Sequence, residues 1–167
     1  MQHLGWKRVT EIYRVLQGRV RKLSIKQLVA EKIYILSRNA RNISLSSVLD
    51  KRKIKIGFLS QDIRDPIVCN DSIDYIFHFA TESSTSLSFT NPLMMHDVIV
   101  NGTKNILDFA VKNNVKRILF TSSGAIYGNQ KEKISESLLS GPDPLNYVNS
   151  YGCAKRYAES IFSTYKK

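Results

Sequence analysis

With 167 residues, 43% of them hydrophobic and 23% charged, the chain has the composition of one globular domain or part of one, which excludes a disordered protein. No apolar run is long enough to cross a bilayer, and Met1 to Arg8 lacks the uninterrupted apolar core of a signal peptide, so a cytoplasmic chain with Cys69 and Cys153 reduced is expected. The net charge of +11 is uneven: residues 1–58 hold 14 Lys/Arg against 3 Asp/Glu, and residues 59–167 hold 11 of each.

Those basic residues are interleaved with Leu, Ile and Val, and no nucleic-acid fold signature accompanies them, which argues against nucleic acid as a partner. His3, His78, His96 and the two cysteines lack metal-ligand spacing, so no metal site is expected.

Within residues 7–30, Val9, Ile12, Tyr13, Leu16 and Val20 recur at helical spacing and predict one or two basic helices. Residues 32–37, short and rich in branched and aromatic side chains, predict a strand. Residues 40–52 are polar, with Leu45, Val48 and Leu49 offering a short helical face. Residues 54–59 alternate as a half-buried strand and run into Gln61-Asp62-Ile63-Arg64-Asp65-Pro66. Residues 74–80 are compactly apolar, as in a strand buried on both faces of a parallel sheet, and His78 within them reads as a packed core histidine.

Residues 81–91 are rich in Ser and Thr and read as a loop, after which Pro92 can open a helix. The 93–113 segment carries more apolar surface than one helical face needs. Two readings stay open: part of it packs against a second copy in a homodimer, or the chain's own sheet covers it. Residues 115–120 predict a strand ending in Thr121-Ser122-Ser123-Gly124. A polar loop over 129–149 leads to a helix from Tyr151 to Tyr165, with Ala154, Ala158, Ile161 and Phe162 inward.

Strands alternating with helices argue for a doubly wound parallel sheet, in which ligands sit at the carboxyl ends of the strands. That edge would hold Asp62, residues 79–82 and Thr121 to Ser123. Tyr151 and Lys155, four residues apart, share one helix face. A free phenol titrates near ~10, and a nearby ammonium favours the phenolate, which lets such a group shuttle a proton.

Five pieces in order carry a resemblance. They are Asp62-Ile63 after a strand; Asp74-Tyr-Ile-Phe-His-Phe-Ala80; Gly102-Thr103-x-Asn105-x-Leu107; Phe120-Thr-Ser-Ser-Gly-Ala-Ile-Tyr-Gly128; and Tyr151-x-x-x-Lys155. From about Tyr34 onward the chain resembles the extended short-chain dehydrogenase/reductases, the nucleotide-sugar epimerases and dehydratases. The resemblance implies a partial Rossmann-like α/β fold over 31–167 that binds NAD or NADP, behind a divergent basic segment over 1–30.

The same resemblance implies Tyr151 as catalytic acid/base on a sugar oxygen and Ser123 orienting that oxygen. Lys155 would bond the nicotinamide ribose and favour the phenolate. Asp62 and Ile63 would lie at the adenine, and Phe79 and Ala80 beside the cofactor ribose. The substrate would be a nucleotide sugar. Ser123-Gly124-Ala125 lacks the acid that dehydratases carry there, which favours epimerase or reductase chemistry. Ser37-Arg38 stands where an acid would favour NAD, and could accept the 2′-phosphate of NADP; a surface arginine without that role is the other reading.

Three departures accompany the resemblance. Only Gly18, in Gln17-Gly18-Arg19, stands where the family has a glycine-rich phosphate turn. Ile99 replaces an asparagine of the middle helix. The sequence stops after the Tyr-x-x-x-Lys helix, without a C-terminal substrate lobe. The expectation is therefore a truncated or impaired copy of a nucleotide-sugar epimerase/dehydratase. The alternative is a non-catalytic fragment acting through protein–protein contact.

Overall fold

The computed structural model describes residues 10–13, 31–40, 54–82, 85–131 and 133–165. The chain divides into two compact units: residues up to Phe79 with Phe109–Phe120, and Ala80–Asp108 with Thr121–Lys167.

Among the described residues the first unit carries five strands, each paired in parallel with a neighbour: β1 (Thr10–Tyr13), β2 (Lys32–Ser37), β3 (Lys55–Ser60), β4 (Tyr75–His78) and β5 (Arg117–Phe120). β2 pairs with β1 on one side and β3 on the other, and β4 pairs with β5. β1 also lies beside β4, so the strands run in the spatial order β3-β2-β1-β4-β5. That order is the one found in doubly wound dinucleotide-binding sheets. The fold is thus α/β with parallel strands, partly Rossmann-like.

The helical reading of residues 7–30 fails at Thr10–Tyr13, which form a strand in register with Lys32 to Ile35. A branched-aromatic Thr-x-Ile-Tyr run suits a strand as well as a helix turn, and pairing with β2 decides it. The remainder of 7–30 and the proposed helical face at Leu45, Val48 and Leu49 lie outside the described residues.

Burial on both faces, expected of residues 74–80, belongs instead to β2, where Ile33, Tyr34, Ile35 and Leu36 are all buried. β4 alternates: Ile76 and His78 are buried, and Tyr75 and Phe77 are half-buried. His78 is a core histidine, as expected, tilted against its register partner Phe120 with ring centroids 5.4 Å apart.

The Ser/Thr-rich stretch expected as a loop contains a short helix, α1 (Thr85–Thr90). Thr90 Oγ1 donates back to the Ser86 carbonyl, the backbone bonding through which a helix interior accommodates threonine. Asn91 then caps α2 (Pro92–Lys112), its side chain accepting from Met94 N at 3.1 Å with Pro92 in the first turn. Met95, Val98, Ile99, Thr103, Ile106, Leu107 and Ala110 follow one another at helical spacing and are buried within the chain, whereas Leu93 and Val111 are exposed. Asn114, at φ +54°, ends α2: Val115 N donates to the Ala110 carbonyl and Asn114 N to that of Val111, a Schellman closure leading into β5.

Candidate active site

The second unit resumes after β5 with Thr121-Ser122-Ser123 and a 3-10 turn, Gly124–Tyr127. Ser123 caps that turn, its Oγ accepting from Ala125 N at 3.2 Å. This is the strand-end capping a serine performs anywhere. It also fixes the hydroxyl, and accepting a bond leaves the O–H proton available to another oxygen.

Helix α3 (Ser150–Thr164) follows a 3-10 turn at Tyr147–Asn149, itself capped by the Asn146 side chain on Val148 N. Its buried face is Ser150, Gly152, Ala154, Lys155 and Ala158, with both alanines fully enclosed. Small residues there let the helix approach closely and leave the Lys155 stem as the largest buried side chain of α3. Tyr151, one turn before Lys155, is half-buried.

Lys155 is only 1% exposed, and its ammonium donates to the Thr121 carbonyl at 2.9 Å. That bond joins α3 to the residue following β5, two positions before Ser123. Burial disfavours the charged amine and pulls its pKa down to about 8, against a smaller opposing effect of Glu159.

Two residues that sequence reasoning passed over set this geometry. Gly152 lies between the tyrosine and the lysine. A Cβ there would stand 2.5 Å from the Ala125 carbonyl oxygen, so the first turn of α3 rests directly on the turn that Ser123 caps. Arg156 donates through Nη1 to the Ile126 carbonyl at 3.0 Å and to the Ser140 carbonyl, and through Nη2 to the Leu139 carbonyl. It ties α3 to both ends of the intervening loop and fills the space beside Gly141. Ser140 Oγ adds a bond to the Tyr127 carbonyl, where Gln130 also donates. A glycine within Tyr-x-x-x-Lys hints at close approach. Nothing local signals Arg156, because its acceptors come from elsewhere in the fold.

The other expected contacts lie elsewhere. Asp62, Ile63 and Phe79 belong to the first unit, and Ala80 begins the second. Ile63 and Ala80 are buried. Arg64 grips the Asp62 carboxylate with Nε on Oδ1 at 3.0 Å and Nη2 on Oδ2 at 2.9 Å. This guanidinium holds the Asp62 carboxyl down at about 2. A carboxylate so held keeps lone pairs for a further donor such as an adenine amine. Ile99, where the family has asparagine, is 1% exposed and part of the buried face of α2.

Each unit by itself carries one feature that suits a dinucleotide: in the second, the buried Lys155 ammonium on the Thr121 carbonyl, and in the first, the Asp62 carboxylate beyond β3. The segment where the phosphate turn would stand, residues 14–20, lies outside the described residues. Among the described residues no group of side chains could hold a metal ion, and no helix is long and apolar enough to cross a membrane.

Comparison with known proteins shows what the chain resembles. UDP-glucose 4-epimerase of Lactobacillus helveticus is 31% identical over 152 residues, covering 87% of this chain and 44% of that protein. The structure of UDP-glucose 4-epimerase from Bifidobacterium longum, in complex with NAD+ and UDP, superposes with a TM-score of 0.64 at 25% identity, over 80% of this chain and 41% of that one. The UDP-Glc/GlcNAc 4-epimerase of Campylobacter jejuni shares the fold, with a TM-score of 0.69 at 23% identity, over 84% of this chain and 43% of that one. The chain spans less than half the length of each of these proteins. The profile of the NAD dependent epimerase/dehydratase family matches residues 22–167. The chain therefore belongs to the NAD dependent epimerase/dehydratase family.

Proposed function

We propose that this chain carries the proton-handling half of an NAD(P)-dependent nucleotide-sugar epimerase. The observation that carries the reading is the buried Lys155 ammonium bonded to Thr121 O, one helical turn from Tyr151 and two residues along the chain from Ser123.

Tyr151 accepts the proton of a sugar hydroxyl as that carbon is oxidised, and returns it when the carbonyl is reduced. Ser123, its lone pair used by Ala125 N, donates its proton to the same sugar oxygen and holds it in place. Lys155 presents a cation at the foot of Tyr151 and favours its phenolate; its remaining donors suit ribose hydroxyls. The cofactor, when bound, supplies the acceptor for the carbon-bound hydrogen. Asp62 and Ile63 serve its adenine end, and Phe79 and Ala80 its ribose.

Gly124 follows Ser123 with open space where a side chain would stand, so the turn offers no carboxylate for water elimination. This supports epimerase or reductase chemistry over dehydration. The test is the absorbance of reduced cofactor after UDP-glucose is added to the chain loaded with NAD+ or NADP+. Tyr151→Phe is expected to abolish that signal while cofactor affinity changes little. A signal that survives the substitution removes Tyr151 from the mechanism. Failure to bind any cofactor would favour the reading as a protein–protein contact module.

A further inference from the structure

Of the three residues assigned to proton handling, Tyr151 alone stands in the first turn of an α-helix. Its backbone N–H is among the four that a helix leaves without an intrahelical partner, and helix ends fray. Lys155 is held a turn deeper by the Thr121 carbonyl, and Ser123 by Ala125 N. What fixes the start of α3 therefore fixes Tyr151.

Ser150, the residue before Tyr151, opens α3 and is buried. A serine that caps a helix accepts a bond from an amide ahead of it. Here the hydroxyl bonds backward. Ser150 Oγ donates to the Tyr147 carbonyl, three residues back, and Ser150 N donates to the same oxygen. That carbonyl belongs to the 3-10 turn Tyr147–Asn149, which the preceding loop holds in turn. Val148 N bonds Asn146 Oδ1 at 3.1 Å, Asn149 N bonds the Asn146 carbonyl at 2.9 Å, and Asn149 Nδ2 bonds the Asp143 carbonyl at 3.0 Å. The Tyr147 ring meets Phe89 of α1 edge-on, with centroids 6.5 Å apart. α3 thus begins on a braced turn, and the Ser150 hydroxyl is a side-chain bond that joins the two.

We propose that Ser150 is a positioning residue for Tyr151: its hydroxyl, bonded to the Tyr147 carbonyl, holds the first turn of α3 so that the phenol meets the sugar oxygen together with Ser123. This rests on the acid/base reading of Tyr151 given above. Ser150 itself touches neither substrate nor cofactor in this assignment. Without its bond the helix keeps its buried residues Gly152 and Ala154, but the turn at 150 and 151 gains freedom to unwind. A shift of ~1 Å in a catalytic group costs about a hundredfold in rate, and loss of one of two bonds to the Tyr147 carbonyl calls for a smaller effect, about tenfold.

α3 supplies its own control. Ser163 Oγ donates to the Ser160 carbonyl at 2.8 Å, the same three-residue step back at the far end of the helix. Ser163→Ala removes an equivalent bond without reaching Tyr151.

Production of reduced cofactor by the full chain loaded with NAD+ or NADP+, measured against UDP-glucose concentration and beside cofactor affinity, tests this. Ser150→Ala is expected to lower the saturating rate about tenfold, with half-saturation and cofactor affinity little changed. Ser150→Thr, whose hydroxyl reaches a carbonyl three residues back from within a helix, retains most of the rate. Ser163→Ala retains all of it. A Ser150→Ala chain with the parent rate overturns this inference and leaves the Tyr151 reading standing. So does an equal fall in Ser163→Ala or in Ser150→Thr. Loss of cofactor affinity together with rate marks Ser150 as a residue of the fold and overturns the inference too. No Tyr151-dependent signal from the unaltered chain overturns both.

Discussion

A side chain at Gly152 would collide with the carbonyl of Ala125: the Cβ would lie 2.5 Å from that oxygen and 3.3 Å from Pro142 Cγ. The contact is with backbone, which cannot rotate away. Helix propensity alone predicts that Gly152→Ala gains up to ~1 kcal/mol. The contact predicts the opposite sign, a loss of about 1–3 kcal/mol as α3 is pushed off the Ser123-capped turn. Urea unfolding of the two proteins decides between them, and a stabilised variant would show that the approach is looser than described.

Lys155 makes stability depend on pH in an unusual direction. Its ammonium loses a proton at about 8 when folded and near its ordinary 10.5 when unfolded. Between those values the unfolded chain holds a proton that the folded chain lacks, so stability from this group rises with pH across the window. At about 1.4 kcal/mol per pH unit, the buried charge costs on the order of 3 kcal/mol below the window and nothing above it. Lys155→Met removes the titration. The stability of the parent chain relative to Lys155→Met is expected to climb by roughly that amount from neutral pH to the top of the window. A difference that stays flat with pH would mean that the amine is not buried as a charge.

Arg156 serves three carbonyls from Ile126, Leu139 and Ser140 at once. Arg156→Ala leaves those oxygens to water and is expected to cost about 1–3 kcal/mol. Arg156→Lys recovers little, because a single ammonium lacks the fork that spans them. Hydrogen exchange at Gly128, whose amide bonds the Ala125 carbonyl, should quicken in both variants. Unchanged exchange would remove Arg156 as the tie.

Acid sensitivity of the first unit should trace to Asp62. Its carboxyl is held at about 2 by Arg64, below its ordinary 3.8, so its stabilising contribution is present above the ordinary value and lost as pH falls through the lower one. Arg64→Leu is expected to return the Asp62 titration toward the ordinary carboxylate range, measured by carbon-detected NMR. A titration that stays low would assign the shift to another cation.

Much of this arrangement was legible from residue pattern. β2 to β5, α2 and α3 announce themselves as branched-aromatic runs or helical stripes, and the Asn91-Pro92 start and Asn114 end of α2 carry their own chemistry. Thr10–Tyr13 was not, because four residues are too few for periodicity to separate a strand from a helix turn, and only pairing with β2 resolves it. α1 hid in a Ser/Thr-rich stretch whose side chains bond their own backbone. At the site, Ser123, Tyr151 and Lys155 could be named in sequence, and Lys155 burial could be inferred only once Ala154 and Ala158 turned inward. The Arg156 tie depends on which backbone atoms meet in space, whereas the Asp62–Arg64 grip is local, between residues two apart whose side chains no periodicity relates.

Whether the buried ammonium and its tyrosine serve a dinucleotide is decided by nicotinamide fluorescence as NADH or NADPH is added to the full chain. The expected result is a saturable change for at least one cofactor, weakened about tenfold by Lys155→Met through loss of a charge-assisted donor and weakened less by Tyr151→Phe. No saturable change with either cofactor, or affinity indifferent to Lys155→Met, would contradict the assignment of this site.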